Sequence, residues 1–248
     1  MKLKIVLVSC SVFMSSMAFG YGDSEQQFVN ALQSEQRAQA DRERDIGRKP
    51  AKVMKFFGIE PGMTVLEILS SGGYYTEVLS HRVGEQGKVI AQNNKFILEV
   101  FDGRFAKEFD QRIANQRLPN VSHYKKEFGE FDLTNEVDAI TVVLNYHDLY
   151  SSAPKAKRKA ILAQLKSALK PGGVLGIIDM HNNAKEHNPK LHRINRDYVV
   201  EELIEAGFTL DAEAAFLRNG NDDYTKVVFD PAVRGKTDRF VLRFKKSA

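Results

Sequence analysis

The sequence carries a single cysteine, Cys10. One thiol closes no disulfide within the chain and builds no cysteine-ligated metal site, so disulfide scaffolds and zinc-finger modules are excluded. A membrane-spanning run is also missing. The stretch from Ile5 to Phe19 is interrupted by serines and falls short of the ~20 apolar residues that cross a bilayer, which excludes an integral channel or transporter. Charge of one sign is not in excess: 36 basic residues face 32 acidic ones, and a formal net charge of +4 is too small for a typical nucleic-acid binder. Glycine (17) and proline (7) are too few for a collagen-like or low-complexity chain of 248 residues. What remains, 43% hydrophobic and 27% charged, is the balance of a packed domain with one substantial core.

Lys2 and Lys4 precede the apolar run Ile5–Met14, and small residues follow in Ser16-Met17-Ala18 and Ala18-Phe19-Gly20. This is the three-part pattern of a secretory signal peptide over residues 1–20, cleaved after Ala18 or Gly20. It predicts a periplasmic or secreted protein with no membrane span once the signal is removed, and a net charge of +2 after the loss of Lys2 and Lys4. Leu7-Val8-Ser9-Cys10 also resembles a lipobox, which would anchor the chain through Cys10, but it leaves only five apolar residues ahead of the cysteine. Residues 21–47 read as a polar helical arm. Ser24-Glu25-Gln26-Gln27 has the form of a capping box at its start. Its charges Arg37, Asp41, Arg42, Glu43, Arg44 and Asp45 read as a solvated face, on an arm able to fold over a neighbouring cleft.

From residue 48 strands and helices alternate. A short helix over Ala51–Phe57 precedes a buried strand over Thr64–Leu69, then a helix over Tyr75–Arg82, a strand over Lys88–Gln92 and a helix over Phe96–Ala114. A weak strand over Val121–Tyr124 and clear ones over Val137–Leu144 and Gly173–Asp179 follow, with a helix over Lys157–Leu169 between the last two. After a helix over Asp197–Ala206, Phe208–Leu217 and Phe240–Phe244 read as strands with no helix between them, which predicts an antiparallel pair. The pattern is α/β: a mostly parallel sheet covered on both faces, with ligands beyond the carboxyl ends of its strands.

Pro61-Gly62-Met63-Thr64-Val65-Leu66-Glu67-Ile68, followed by Gly72-Gly73-Tyr74, resembles class I S-adenosylmethionine-dependent methyltransferases. Leu169-Lys170-Pro171-Gly172-Gly173-Val174-Leu175 and the segment from Glu202-Leu203 to Ala206-Gly207-Phe208 extend the resemblance over about residues 48–248. Gly72-Gly73-Tyr74-Tyr75-Thr76-Glu77 and Arg234–Phe240 are similar to a bacterial group of exported predicted methyltransferases. The resemblance implies a seven-stranded Rossmann-like fold, S-adenosylmethionine as cofactor and methyl transfer to a small-molecule acceptor. The family's first loop has an acid and then three glycines at alternate positions. Here Glu67 matches the acid and Gly73 the last glycine, Leu69 and Ser71 stand at the first two, and Gly72 is a further glycine beside them. The ribose-binding carboxylate of the family falls at Asn93 or Asn94, whose amide oxygen accepts hydrogen bonds without the charge. Glu127 matches the acid that meets the adenine amino group, or is an exposed glutamate beside Lys125 and Lys126.

The fourth strand runs into Asn145-Tyr146-His147-Asp148. The site expected there has His147 as base, Asp148 orienting it and Asn145 touching the cofactor; the alternative is that His147 and Asp148 cap the next helix. Tyr74, Tyr75 and Tyr146 could form an aromatic wall for a sulfonium, or simply pack in the core. Asp179, His181, His187 and His192 invite a metal, but the spacing of the histidines matches no helical i, i+4 pair, so a solvated substrate-side loop and no metal are expected. Two other readings stand beside methyl transfer. One is a non-catalytic exported binding protein that kept the fold, suggested by the altered loop and by a cofactor made in the cytosol. The other, a nicotinamide-dependent oxidoreductase, lacks its G-x-G-x-x-G turn and its acid at Asn93. No feature of the sequence speaks to an oligomeric state.

Overall fold

A computed structural model describes residues 16–246, with side chains from Ser24 onward. Most of the expected signal peptide, residues 1–15, lies outside the described residues. Helix α1 (Ser16–Gln33) runs through Ser24, so that residue sits inside the helix and not at a capping box. Phe28 and Leu32, spaced i, i+4, give α1 its buried stripe. Helix α2 (Gln39–Arg48) has no apolar face and is held by charge, as described below. Helix α3 (Pro50–Phe57) begins with proline at its first turn, where the missing N–H costs nothing, and ends on Gly58 in the left-handed conformation.

The alternating segments then form β1 (Thr64–Ile68), α4 (Tyr74–Val83), β2 (Lys88–Gln92), α5 (Lys95–Ile113), β3 (Val121–Tyr124), β4 (Val137–Val143), α6 (Tyr146–Ser152), α7 (Lys155–Ala168), β5 (Leu169–Met180), α8 (Arg196–Glu205), β6 (Phe208–Ala214) and β7 (Arg239–Lys246). They make one seven-stranded sheet in the order β3-β2-β1-β4-β5-β7-β6. The five strands from β3 to β5 are parallel, while β7 lies antiparallel between β5 and β6. The expected Rossmann-like, mostly parallel sheet with an antiparallel C-terminal part is therefore the observed one.

Alternate residues of each strand feed two cores. Leu66, Ile140 and Ile177 pack on the face covered by α6, α7 and α8, and Val65, Ala139 and Ile178 on the face covered by α1, α3 and α4. Two elements differ from expectation. Helix α5 is broken at Val100–Gly103, where Phe101, Asp102 and Gly103 turn left-handed, whereas periodicity predicts one unbroken helix. Helix α6 was not expected: seven residues are too few for a helical period to be read.

Candidate functional site

The strand order reverses between β1 and β4, and in such sheets the crevice opens beyond the carboxyl ends of those two strands. Ile68 pairs with Val142, so the chain leaves both strands side by side. Three residues with side chains take up strained backbone there. Leu69 (φ +52°), Ser71 (+53°) and Leu144 (+61°) all occupy the left-handed region that glycine favours. Each such residue costs on the order of 1–3 kcal/mol, and clusters of them mark sites where backbone geometry serves a ligand. Gly73 (φ +81°) takes the same conformation without that cost and starts α4. The side chain of Leu69 packs in the core, leaving the space above the loop to the backbone.

Polar side chains hold the strained loop. The amide of Leu69 donates to Gln92 Oε1 (3.0 Å) and that of Ser71 to Asn93 Oδ1 (2.8 Å), while Asn93 Nδ2 donates back to the Ser71 carbonyl (3.3 Å). Asn145 Nδ2 donates to the carbonyls of Leu69 (3.0 Å) and Val143 (2.9 Å), joining the two strand ends. Arg112 Nε donates to the Gly72 carbonyl at 2.9 Å. The same guanidinium pairs with Glu77 of α4 and with Asp41 of α2 (2.7 Å). Burial alone would raise the pKa of Glu77, but hydrogen bonds from His81 and Arg117 and the charges of Arg112 and Arg117 hold it below the usual carboxylate range.

These contacts correct one expectation about the arm. Arg37 and Asp41 are buried and Asp45 is mostly so, because each has a partner: Arg37 pairs with Asp45 (2.5 Å), which also accepts from Tyr74 Oη (2.5 Å). Arg48 lies 4.2 Å from the centre of the Tyr74 ring. The charge-rich helix thus lies against the start of α4, beside the glycine loop. A groove of about 590 Å³ between the arm and α3, lined by Val29, Leu32, Arg42, Asp45 and Lys49, lies outside the strand edge. Its one acid, Asp45, is already committed to Arg37 and Tyr74, and the strained loop and the charged side chains after β4 and β5 lie at the strand edge instead.

Glu67 is buried at the end of β1 and accepts from Thr76 Oγ1 at 2.5 Å. Burial pushes its carboxyl up to about 8, against the Thr76 hydrogen bond and the charges of Arg112 and Arg48. The other residues expected to meet a cofactor have local roles already. Asn93 braces the loop, Asn94 caps α5 by accepting from the Ile97 amide (3.0 Å), and Glu127 accepts from the Lys95 amide (2.7 Å).

At the end of β4, His147 is buried and gripped by Asp179 at the end of β5. Its amide donates to Asp179 Oδ2 and its Nδ1 faces Oδ1, both at 2.8 Å. Nε2 lies 3.3 Å from Asp148 Oδ1. Burial lowers the pKa of His147, but the Asp179 charge and hydrogen bonds with Asp148 and Asp179 outweigh it and lift the imidazole to about 10. His147 is therefore an imidazolium near neutral pH, not a free base, and Asp148, drawn below its usual range, is the ionised group at the mouth. Tyr146 is no part of an aromatic wall. It points into the core and donates to Glu202 at 2.8 Å. His181 is tied by a backbone bridge to Ile194, His187 faces Ser151 Oγ (2.8 Å), and His192 reaches Asp148, so the three histidines do not form one solvated loop.

Sequence reasoning assigns no role to Gln92 or Arg112, places His192 only with His181 and His187 on a solvated substrate-side loop, and does not pair Asp179 with His147 or His192 with Asp148. Asp179 carried a signal as an acid at the carboxyl end of a core strand, and His192 as one of three histidines after that strand. Gln92 and Arg112 carried none, because their contacts form only between elements distant in the chain.

Residues 33–101 match the family model described as protein-L-isoaspartate(D-aspartate) O-methyltransferase, a span running from the arm to the start of α5. The chain is 29% identical over 159 residues, 63% of its length, to a ubiquinone/menaquinone biosynthesis C-methyltransferase UbiE from a Shewanella species, and spans 58% of the length of that relative. A solved S-adenosylmethionine-dependent methyltransferase from Aquifex aeolicus superposes with a TM-score of 0.59 at 26% identity, over 79% of this chain and 88% of that one. A solved protein described as a possible exported protein from Bordetella parapertussis shares the fold at 15% identity, with a TM-score of 0.52, over 84% of this chain and 68% of that one. The protein is thus related to the class I S-adenosylmethionine-dependent methyltransferases. S-adenosylmethionine is the cofactor that kinship implies.

Proposed function

We propose that the protein is an S-adenosylmethionine-dependent methyltransferase acting on a small-molecule acceptor. One observation carries the reading. All three family glycine positions, now Leu69, Ser71 and Gly73, have left-handed backbone, so the loop follows a glycine path although two of the three positions carry side chains. The residues present fit the cofactor in kind: a buried carboxyl at Glu67, a glycine-like turn opening α4, and amide side chains at Asn93 and Asn145.

When bound, S-adenosylmethionine supplies an electrophilic methyl on a sulfonium. Glu67, once ionised, balances the positive charge of the cofactor; Leu69, Ser71, Gly72 and Gly73 let its backbone neighbours approach; Asn93 and Glu127 stand on the nucleoside side and Asn145 on the methionine side. At the acceptor side, His147, held as an imidazolium, would orient Asp148, whose carboxylate would take the proton of an acceptor held at the mouth of the crevice. The chain's part is mostly positioning. In this reading residues 1–20 direct the chain to the periplasm or beyond, as a signal peptide and not through a lipid on Cys10.

A second reading has its own observation: the amides of Leu69 and Ser71 are already bonded to Gln92 and Asn93, and the ribose position carries no carboxylate. A protein that binds but does not transfer fits that arrangement. Calorimetric titration of the full chain with S-adenosylmethionine, its demethylated product and NAD separates the cases. Micromolar binding of the first two with none of NAD is expected, together with transfer of a labelled methyl group to some member of a small-molecule panel. Binding without any transfer would favour the second reading, and NAD binding alone would overturn both.

A further inference from the structure

His147, Asp148 and His192 meet at the mouth of the site from two separate parts of the chain, the end of β4 and the loop after β5. One ligand atom from each lies within 4.8 Å of the others. Asp148 Oδ1 stands 3.3 Å from His147 Nε2 and 3.2 Å from His192 Nδ1. Two donors bonded to one tetrahedral ion at about 2.0–2.1 Å are about 3.3 Å apart, so both edges that share the carboxylate already have the spacing of a filled site. The edge between the imidazoles is the adjustable one. His192 ends a short 3-10 turn over Pro189–Leu191, and its side chain is 36% exposed.

The surroundings are those of a metal ligand set. Asp179 fixes His147 through Nδ1, which leaves Nε2 as the outward donor; a histidine whose other nitrogen is held by a carboxylate is the usual arrangement behind a bound metal. His192 is pinned in the left-handed conformation (φ +52°), a strained position for a residue with a side chain. The Phe229 ring packs on its imidazole with centroids 4.8 Å apart, screening one side from water. Among the described residues, Asp148 lies within salt-bridge distance of these two imidazoles and of no lysine or arginine.

We infer that His147, Asp148 and His192 bind a divalent first-row transition ion. Two imidazoles and one carboxylate suit zinc or iron(II), and leave at least one coordination position open toward the crevice. That position would take an oxygen, nitrogen or sulfur donor of a small molecule. The inference does not depend on methyl transfer; where both hold, the ion displaces the proton on His147 Nε2, Asp148 ligates through Oδ1, and its second oxygen is left to take the acceptor's proton.

The test is calorimetric titration of the chelator-treated full chain with Zn²⁺, and with Co²⁺ followed by visible absorption, in wild type and in His192→Ala, Asp148→Ala, Asp179→Asn and His81→Ala. The expected result is one ion per chain with a tetrahedral or five-coordinate cobalt spectrum. Binding should fall at least tenfold in His192→Ala and Asp148→Ala, about 10–100-fold in Asp179→Asn, and stay unchanged in His81→Ala. His192 lies on a partly exposed loop, so its variant is expected to fold, which circular dichroism checks. Absence of binding, or equal binding by wild type and His192→Ala, would overturn the site and leave an ion pair between His147 and Asp148. S-adenosylmethionine binding measured on the same samples keeps this outcome separate from the methyltransferase reading.

Discussion

Leu69, Ser71 and Leu144 bear a backbone cost, and it falls at the edge where the strand order reverses. Gly73→Ala adds a Cβ 3.0 Å from Arg112 Cδ and Phe109 Cδ2 at φ +81°, and should destabilise the fold by about 1–3 kcal/mol in urea unfolding. Ser71→Gly should change stability by less than about 1 kcal/mol, because released strain is offset by a freer unfolded chain. Glu67 gives the pH signature. Its folded value of about 8 lies above its ordinary 4.5, so the protonated carboxyl stabilises the fold and that contribution is lost as pH rises from about 5 to 8. Wild type should therefore lose up to about 1.4 kcal/mol per pH unit relative to Glu67→Gln across that window, read by thermal or urea unfolding. If the carboxylate is the form that meets the cofactor, S-adenosylmethionine affinity should rise up to about tenfold per unit to pH 8 and then level, with Glu67→Gln flat.

Among the elements, α2 depends most on partners outside itself. It is polar on every side, and Arg112 of α5 joins its Asp41 to Glu77 of α4 and to the Gly72 carbonyl. Arg112→Ala leaves two buried carboxylates short of a cation and should cost about 3 kcal/mol. It should also open α2 to proteolysis and weaken S-adenosylmethionine binding, since the loop loses a brace; an unchanged proteolytic pattern would show that α2 is held some other way. Strands β1, β2 and β4 were legible because buried β-branched runs bounded by turns have few alternatives. Helix α6 and the break in α5 were not, one because seven residues carry no readable period, the other because left-handed turns at Phe101 and Asp102 leave no mark in side-chain pattern. The buried charges of the arm were unreadable for a similar reason: whether Asp41 is solvated depends on an arginine 71 positions further along the chain.

At the scale of the whole molecule, the described residues hold no helix long and apolar enough to cross a membrane. The proposed export makes a direct prediction: protein recovered from the periplasm of an expressing bacterium should begin at Phe19 or Tyr21 by N-terminal sequencing, whereas membrane-bound chains retaining Cys10 would indicate the lipid anchor. Local hydrophobic period and turn chemistry were enough to determine the alternation of strands and helices, the antiparallel end of the sheet, and the edge at which a ligand would sit. Those properties depend on each residue and its near neighbours. The bracing of Ser71 by Asn93, the charge on His147 set by Asp179, and the approach of His192 to Asp148 were decided by tertiary structure alone. Hydrogen bonds and ion pairs act over a few ångströms, and only the folded sheet brings groups from its different strands and loops that close.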